Sequence, residues 1–129
     1  CHCIRCREVR NKKIENINLE KLEYEASDGR EIFLSFEDKR NGTIVAFLRL
    51  RLAENAFVRE LHVYGEQMPV GKKGAYQHRS FGKLLLGEAE RIAAENSHKK
   101  LHVISGVGVR GYYKALGYFL EKPYMVKEL

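Results

Sequence analysis

Gln77-His78-Arg79-Ser80-Phe81-Gly82-Lys83 is a polar, glycine-containing stretch that runs straight into an amphipathic pattern. Phe81, Leu85, Ala89 and Ile92 recur at helical spacing, so a helix is expected to start near Ser80, whose hydroxyl can cap one of the orphan backbone donors. The remaining free N–H groups, with the positive end of the helix dipole, suit a phosphate or diphosphate, and Gly82 would let such a ligand approach the backbone without meeting a Cβ. An ordinary capped helix after a loop explains the same pattern, and the local residues leave both readings open.

Upstream, Gly65 to Tyr76 carries Pro69, Gly71 and Gly74 and reads as a loop into that helix. Further upstream the period changes from helical to alternating. Ser27-Asp28-Gly29 lies between Glu23-Tyr24-Glu25 and Glu31-Ile32-Phe33-Leu34-Ser35-Phe36, and Asn41-Gly42 precedes the strand formers Thr43 to Arg51. Ala56 to Tyr64 follows Glu54-Asn55, which makes the first half an antiparallel meander. Downstream, the helix is expected to run to about Asn96, followed by a strand over Lys100–Ser105, a short helix near Gly111–Leu116 and a last strand over Tyr118–Val126. The order is that of an α+β chain, without internal repeats or low-complexity tracts.

Composition sets the bounds. A chain of 129 residues with 44% hydrophobic content suits one globular domain. Its longest apolar runs, such as Ile44-Val45-Ala46-Phe47-Leu48, are far too short to span a bilayer, and no secretory signal is visible, so a cytoplasmic protein with no membrane partner is expected. The net charge of +6 favours nucleic acid or an anionic cofactor, although the basic residues are interleaved with 17 acidic ones and also describe a well-solvated surface. All three cysteines fall in Cys1-His2-Cys3-Ile4-Arg5-Cys6. Their odd number and short separations disfavour intramolecular bridging, whereas thiolates at this spacing can converge on zinc, with a fourth ligand from elsewhere. Free thiols on a frayed terminus are the alternative. A start at Cys1 rather than methionine suggests a piece of something longer.

The meander, loop, glycine-bearing turn and following strand and short helix resemble the GNAT acetyltransferase fold: a mixed, mostly antiparallel sheet flanked by helices. Gln77 to Gly82 resembles that family's Q/R-x-x-G-x-G/A signature in variant form, with Ser80 at the first glycine position. Five strings narrow the resemblance: Val58-Arg59-Glu60-Leu61-His62-Val63-Tyr64-Gly65, Gln77-His78 through Phe81-Gly82, Val103-Ile104-Ser105-Gly106-Val107-Gly108, Tyr112-Tyr113-Lys114-Ala115-Leu116-Gly117-Tyr118 and Pro123-Tyr124-Met125-Val126-Lys127. Together they are similar to the C-terminal domain of the Elongator catalytic subunit family.

The resemblance implies a GNAT domain over 22–129 and, over 1–21, a zinc-binding linker element with Cys1, Cys3 and Cys6 as ligands. It implies an acetyl-CoA-dependent enzyme that modifies the wobble uridine of tRNA. The iron–sulfur cluster and S-adenosylmethionine would belong to a radical-SAM domain outside these residues, and sister Elongator subunits are implied as further partners. Glu60, Leu61, His62 and Val63 match positions whose backbone holds the acetyl carbonyl and the pantetheine arm. Gln77, His78, Ser80, Phe81, Gly82 and Lys83 match the diphosphate-binding turn. Tyr113, with Tyr112 as second candidate, matches the tyrosine that can donate a proton to the departing CoA thiolate, a role suited to a phenol of reference pKa near 10.

Adjacent tyrosines diverge by roughly 100° on a helix, so one of the pair is expected in the core and Tyr113 is assigned to the site. His62, in an alternating strand, reads first as a structural histidine, and His78 as the better exposed base candidate. Gly106 and Gly108 can serve a sharp strand exit through unusual dihedrals. Two other functions stay open: a non-catalytic tRNA-binding or assembly module that keeps the fold, and a protein-lysine acetyltransferase.

Overall fold

The turn and periodicity signals resolve into a seven-stranded sheet carrying one long helix. In the computed structural model the described residues are 17–38, 42–64 and 72–129, with side chains from Phe81 onward in the last segment. β1 (Ile17–Ala26), β2 (Gly29–Asp38), β3 (Thr43–Leu52) and β4 (Ala56–Val63) form the expected antiparallel meander. After α1 (Lys72–Glu95), β5 (Lys100–Val103) pairs parallel to β4. A 3-10 turn over Val107–Val109 leads into α2 (Arg110–Ala115), and the hairpin of β6 (Phe119–Glu121) and β7 (Tyr124–Glu128) completes the strand order β1-β2-β3-β4-β5-β7-β6.

The first hairpin turns on Ser27 and Asp28, both at positive φ (47° and 63°), a two-residue connection whose twist matches the flanking strands. Gly29 is already in β2. Its role is close approach, because a Cβ there would lie 2.9 Å from the Arg51 guanidinium, which itself donates to the Ala26 and Ser27 carbonyls.

Alternation then builds the core. Cross-strand pairing places Ile32, Leu34, Leu48, Leu50, Val58, Val103 and Met125 on one face of the sheet. There they are buried in one apolar cluster with Leu85, Leu86, Ala89, Ile92 and Ala93 of α1. Two irregularities shape the middle of the sheet. Arg49 pairs with Glu60 but Leu50 pairs with Val58, so Arg59 is the extra residue of a β-bulge. The parallel pairing with β5 ends at Val58 and Val103, and among the described residues no strand pairs with Arg59–Val63 of β4 on that side.

Three expectations need correction. α1 begins at Lys72, not near Ser80, so Ser80 is inside a helix rather than its cap, and the expected loop up to Tyr76 gives way to helix from Lys72. The strong breakers Pro69 and Gly71 both precede Lys72, and a single internal glycine such as Gly74 costs a helix only about 1 kcal/mol. The last strand is two strands, divided at Lys122-Pro123, where proline cannot donate to a ladder. Gly106 and Gly108 adopt no positive φ, and a Cβ at either would meet nothing within 4 Å, so the strand exit does not require them. Cys1, Cys3 and Cys6 lie outside the described residues.

Candidate functional site

Three of the residues proposed from the sequence, Val63, Gly82 and Tyr112, meet at the end of β4 beyond the bulge. The Tyr64 N–H donates to the Val45 carbonyl at 2.9 Å, which fixes the phase of the β3–β4 ladder. His62 and Glu60 therefore turn their backbone groups toward β3, and Leu61 and Val63 turn theirs to the opposite edge, where β5 has already ended. Of the four strand residues assigned to the cofactor, these two present a backbone edge that no strand among the described residues covers. Their side chains pack against the core on the α1 side.

The other two occupy the far face. Glu60 pairs with Arg49 at 3.3 Å, and the His62 ring stacks on Tyr64 (4.4 Å) and Phe47 (5.8 Å). That environment is structural and lies across the sheet from α1.

Gly82 closes the site from the α1 side. A Cβ added there would lie 2.6 Å from the Tyr112 hydroxyl and 3.6 Å from Val63 Cγ2, so helix, strand end and phenol meet at one point. Phe81 is buried against Phe36, with ring centroids 4.9 Å apart, whereas Lys83 is exposed. Nine helical residues precede Phe81, so the N–H groups of Phe81, Gly82 and Lys83 fall inside the ladder of α1 rather than at its open end. Gln77 to Lys83, the stretch assigned to the diphosphate, lies wholly within α1.

The tyrosine pair divides as adjacent helical residues must. Tyr113 is 6% exposed, edge-on to Tyr112 and to Tyr118 at 5.3 and 5.8 Å, while Tyr112 is 43% exposed and its hydroxyl faces Gly82. Burial pushes the Tyr113 phenol up to about 12, with the neighbouring Tyr112 adding to the effect. Burial also raises Tyr112 above the ordinary tyrosine value. Both stay protonated through neutral pH.

Behind the pair lies a polar anchor that the sequence does not single out. The Tyr118 hydroxyl donates to Glu90 Oε2 at 2.8 Å and Lys127 Nζ donates to Glu90 Oε1 at 3.0 Å. A glutamate in the C-terminal half of an amphipathic helix reads as a solvated charge, and only the folded chain shows what it meets. Among the described residues no cluster of three or more His, Cys, Asp or Glu side chains could hold a metal ion.

A mixed sheet whose central parallel pair opens beside a glycine-bearing helix and a tyrosine defines an acetyltransferase class, and the chain belongs to the acetyltransferase (GNAT) family, whose model matches residues 5–118. The fold of this family implies acetyl-CoA binding. Among individual proteins, the chain is 48% identical to the tRNA uridine(34) acetyltransferase of Methanocaldococcus jannaschii, across the whole chain and 28% of that relative. It is 44% identical to Elongator complex protein 3 of Schizosaccharomyces pombe, again across the whole chain and 28% of the relative. The chain thus spans less than a third of the length of these curated relatives. The solved structure of Methanocaldococcus infernus Elp3 lacking its N-terminus is similar over the whole chain and 35% of its own, with a TM-score of 0.86 and 42% identity. Nourseothricin acetyltransferase, at 16% identity and a TM-score of 0.55, shares the fold.

Proposed function

We propose that this chain is the acetyl-CoA-binding part of a tRNA wobble-uridine modifying enzyme and acts with a radical-SAM domain elsewhere in the same protein. The observation that carries this reading is the meeting of Tyr112, Gly82 and Val63 at the open end of the β4–β5 pair. Acetyl-CoA supplies an activated thioester. The backbone groups of Leu61 and Val63 would hold its amide-bearing arm as a neighbouring strand would, and the exposed Lys83 side chain would meet its phosphates. Tyr112, rather than the buried Tyr113, would direct its O–H at the thioester sulfur.

Acidity limits what the phenol does. Full proton transfer from a tyrosine above pKa 10 to a thiolate near 8.5 is uphill by roughly 2 kcal/mol or more. Tyr112 would therefore act chiefly as a hydrogen-bond donor to the charge developing on sulfur. The relatives' names and the net charge of +6 support tRNA as the acceptor's carrier. Zinc held by Cys1, Cys3 and Cys6 would complete the protein, a reading supported by the donor set alone, and a freshly reduced sample well below one metal equivalent per chain would remove it.

Calorimetric titration with acetyl-CoA and with a non-hydrolysable analogue tests the reading, followed by thioester cleavage in Tyr112→Phe and Tyr113→Phe. One-to-one binding is expected in all three proteins. Loss of cleavage, on the order of a hundredfold, is expected in Tyr112→Phe. A folded protein that binds neither ligand would leave a docking module as the better account.

A further inference from the structure

We propose that Glu90 is a positioning residue for the transfer step, holding the Tyr112 hydroxyl in place through Tyr118 and Tyr113; this rests on the role given to Tyr112 above. Glu90 and Gly82 both lie on α1, about two turns apart. From Glu90 the contacts run outward and return. Its carboxylate accepts the Tyr118 hydroxyl, the Tyr118 backbone N–H donates to the Tyr113 carbonyl at 3.0 Å, and the Tyr118 ring meets Tyr113 edge-on. Tyr113 in turn meets Tyr112 edge-on, and the Tyr112 hydroxyl arrives at Gly82.

Tyr118 is only 3% exposed, so its hydroxyl needs a partner, and among the described residues Glu90 provides it. Lys127 fixes the same carboxylate from β7 and lies over the Tyr118 ring, 5.6 Å from its centroid. An apolar pair would fasten α1 to this end of the sheet equally well, because a partly buried charge repays little of its desolvation as stability. A directional bond sets the plane of the ring, which edge-to-face contacts with Tyr113 and Tyr112 then transmit.

The test uses the protein with labelled tyrosine side chains and acetyl-CoA as substrate. In Tyr118→Phe, which keeps the ring and loses the bond, the Tyr112 side-chain resonance is expected to shift, and kcat for thioester cleavage to fall roughly tenfold with KM for acetyl-CoA unchanged. Glu90→Gln, which keeps an acceptor, should retain more activity than Glu90→Ala. Should Tyr118→Phe not fold, that Gln and Ala pair decides on the same two readouts. An unmoved Tyr112 resonance or a wild-type kcat, alongside a loss in Tyr112→Phe, overturns the positioning role and leaves the Tyr112 role standing. A wild-type kcat in Tyr112→Phe overturns both.

Discussion

Gly82 and Tyr112 are coupled through size. Alanine suits a helix better than glycine by about 1 kcal/mol, yet its methyl group would lie within 2.6 Å of the Tyr112 hydroxyl, and the phenol is the more movable of the two. Gly82→Ala should therefore leave thermal stability nearly unchanged while displacing Tyr112, lowering kcat for thioester cleavage about tenfold or more. Equal kcat in the two proteins would separate Tyr112 from the chemistry. Tyr113 has a different signature. Its folded pKa of about 12 exceeds the unfolded value near 10, so the stability it contributes is fully present below pH 10 and is lost as pH rises through 12. Two units amount to about 3 kcal/mol, and Tyr118, raised first by burial and then by its bond to Glu90, acts in the same direction. Denaturant unfolding followed upward from pH 9 should show this decline, and Tyr113→Phe should flatten it.

α1 shows how far local pattern carries. Its apolar spacing from Phe81 to Ile92 is plain in the sequence and matches the buried face, so Leu85→Ala, at a fully buried position, should cost about 2–5 kcal/mol in chemical denaturation. Its start is not plain, because Ser80 and Gly82 resemble a capped turn while the residues before them also tolerate helix. The meander was legible because Ser27-Asp28-Gly29 and Asn41-Gly42 are strong turn chemistry between alternating strands. The β6–β7 hairpin is easily read as one strand because its arms are short, and Glu121-Lys122-Pro123 between two apolar stretches is its local signal. Leu61 and Val63 could not be separated from Glu60 and His62 in one strand alone, since the Arg59 bulge that sets their phase exists only in the pairing with β3. Choosing between Tyr112 and Tyr113 likewise depends on how a six-residue helix docks, which side-chain spacing does not state.

Across the whole molecule, the sheet is two antiparallel units, β1–β4 and β5–β7–β6, joined by three residue pairs of parallel ladder and by α1 packed across the seam. The apolar cluster runs through both units, so a core substitution on either side should lower the stability of the whole rather than detach one half. The seam also creates an unusual address for two amides. Leu61 and Val63 belong to the fourth of seven strands, a place where deuterium uptake is ordinarily slowest, yet their N–H groups face the opening left by β5. They should take up deuterium as quickly as amides on a sheet's outer rim, and a thioester ligand lodged beside them should slow the uptake at those two positions first.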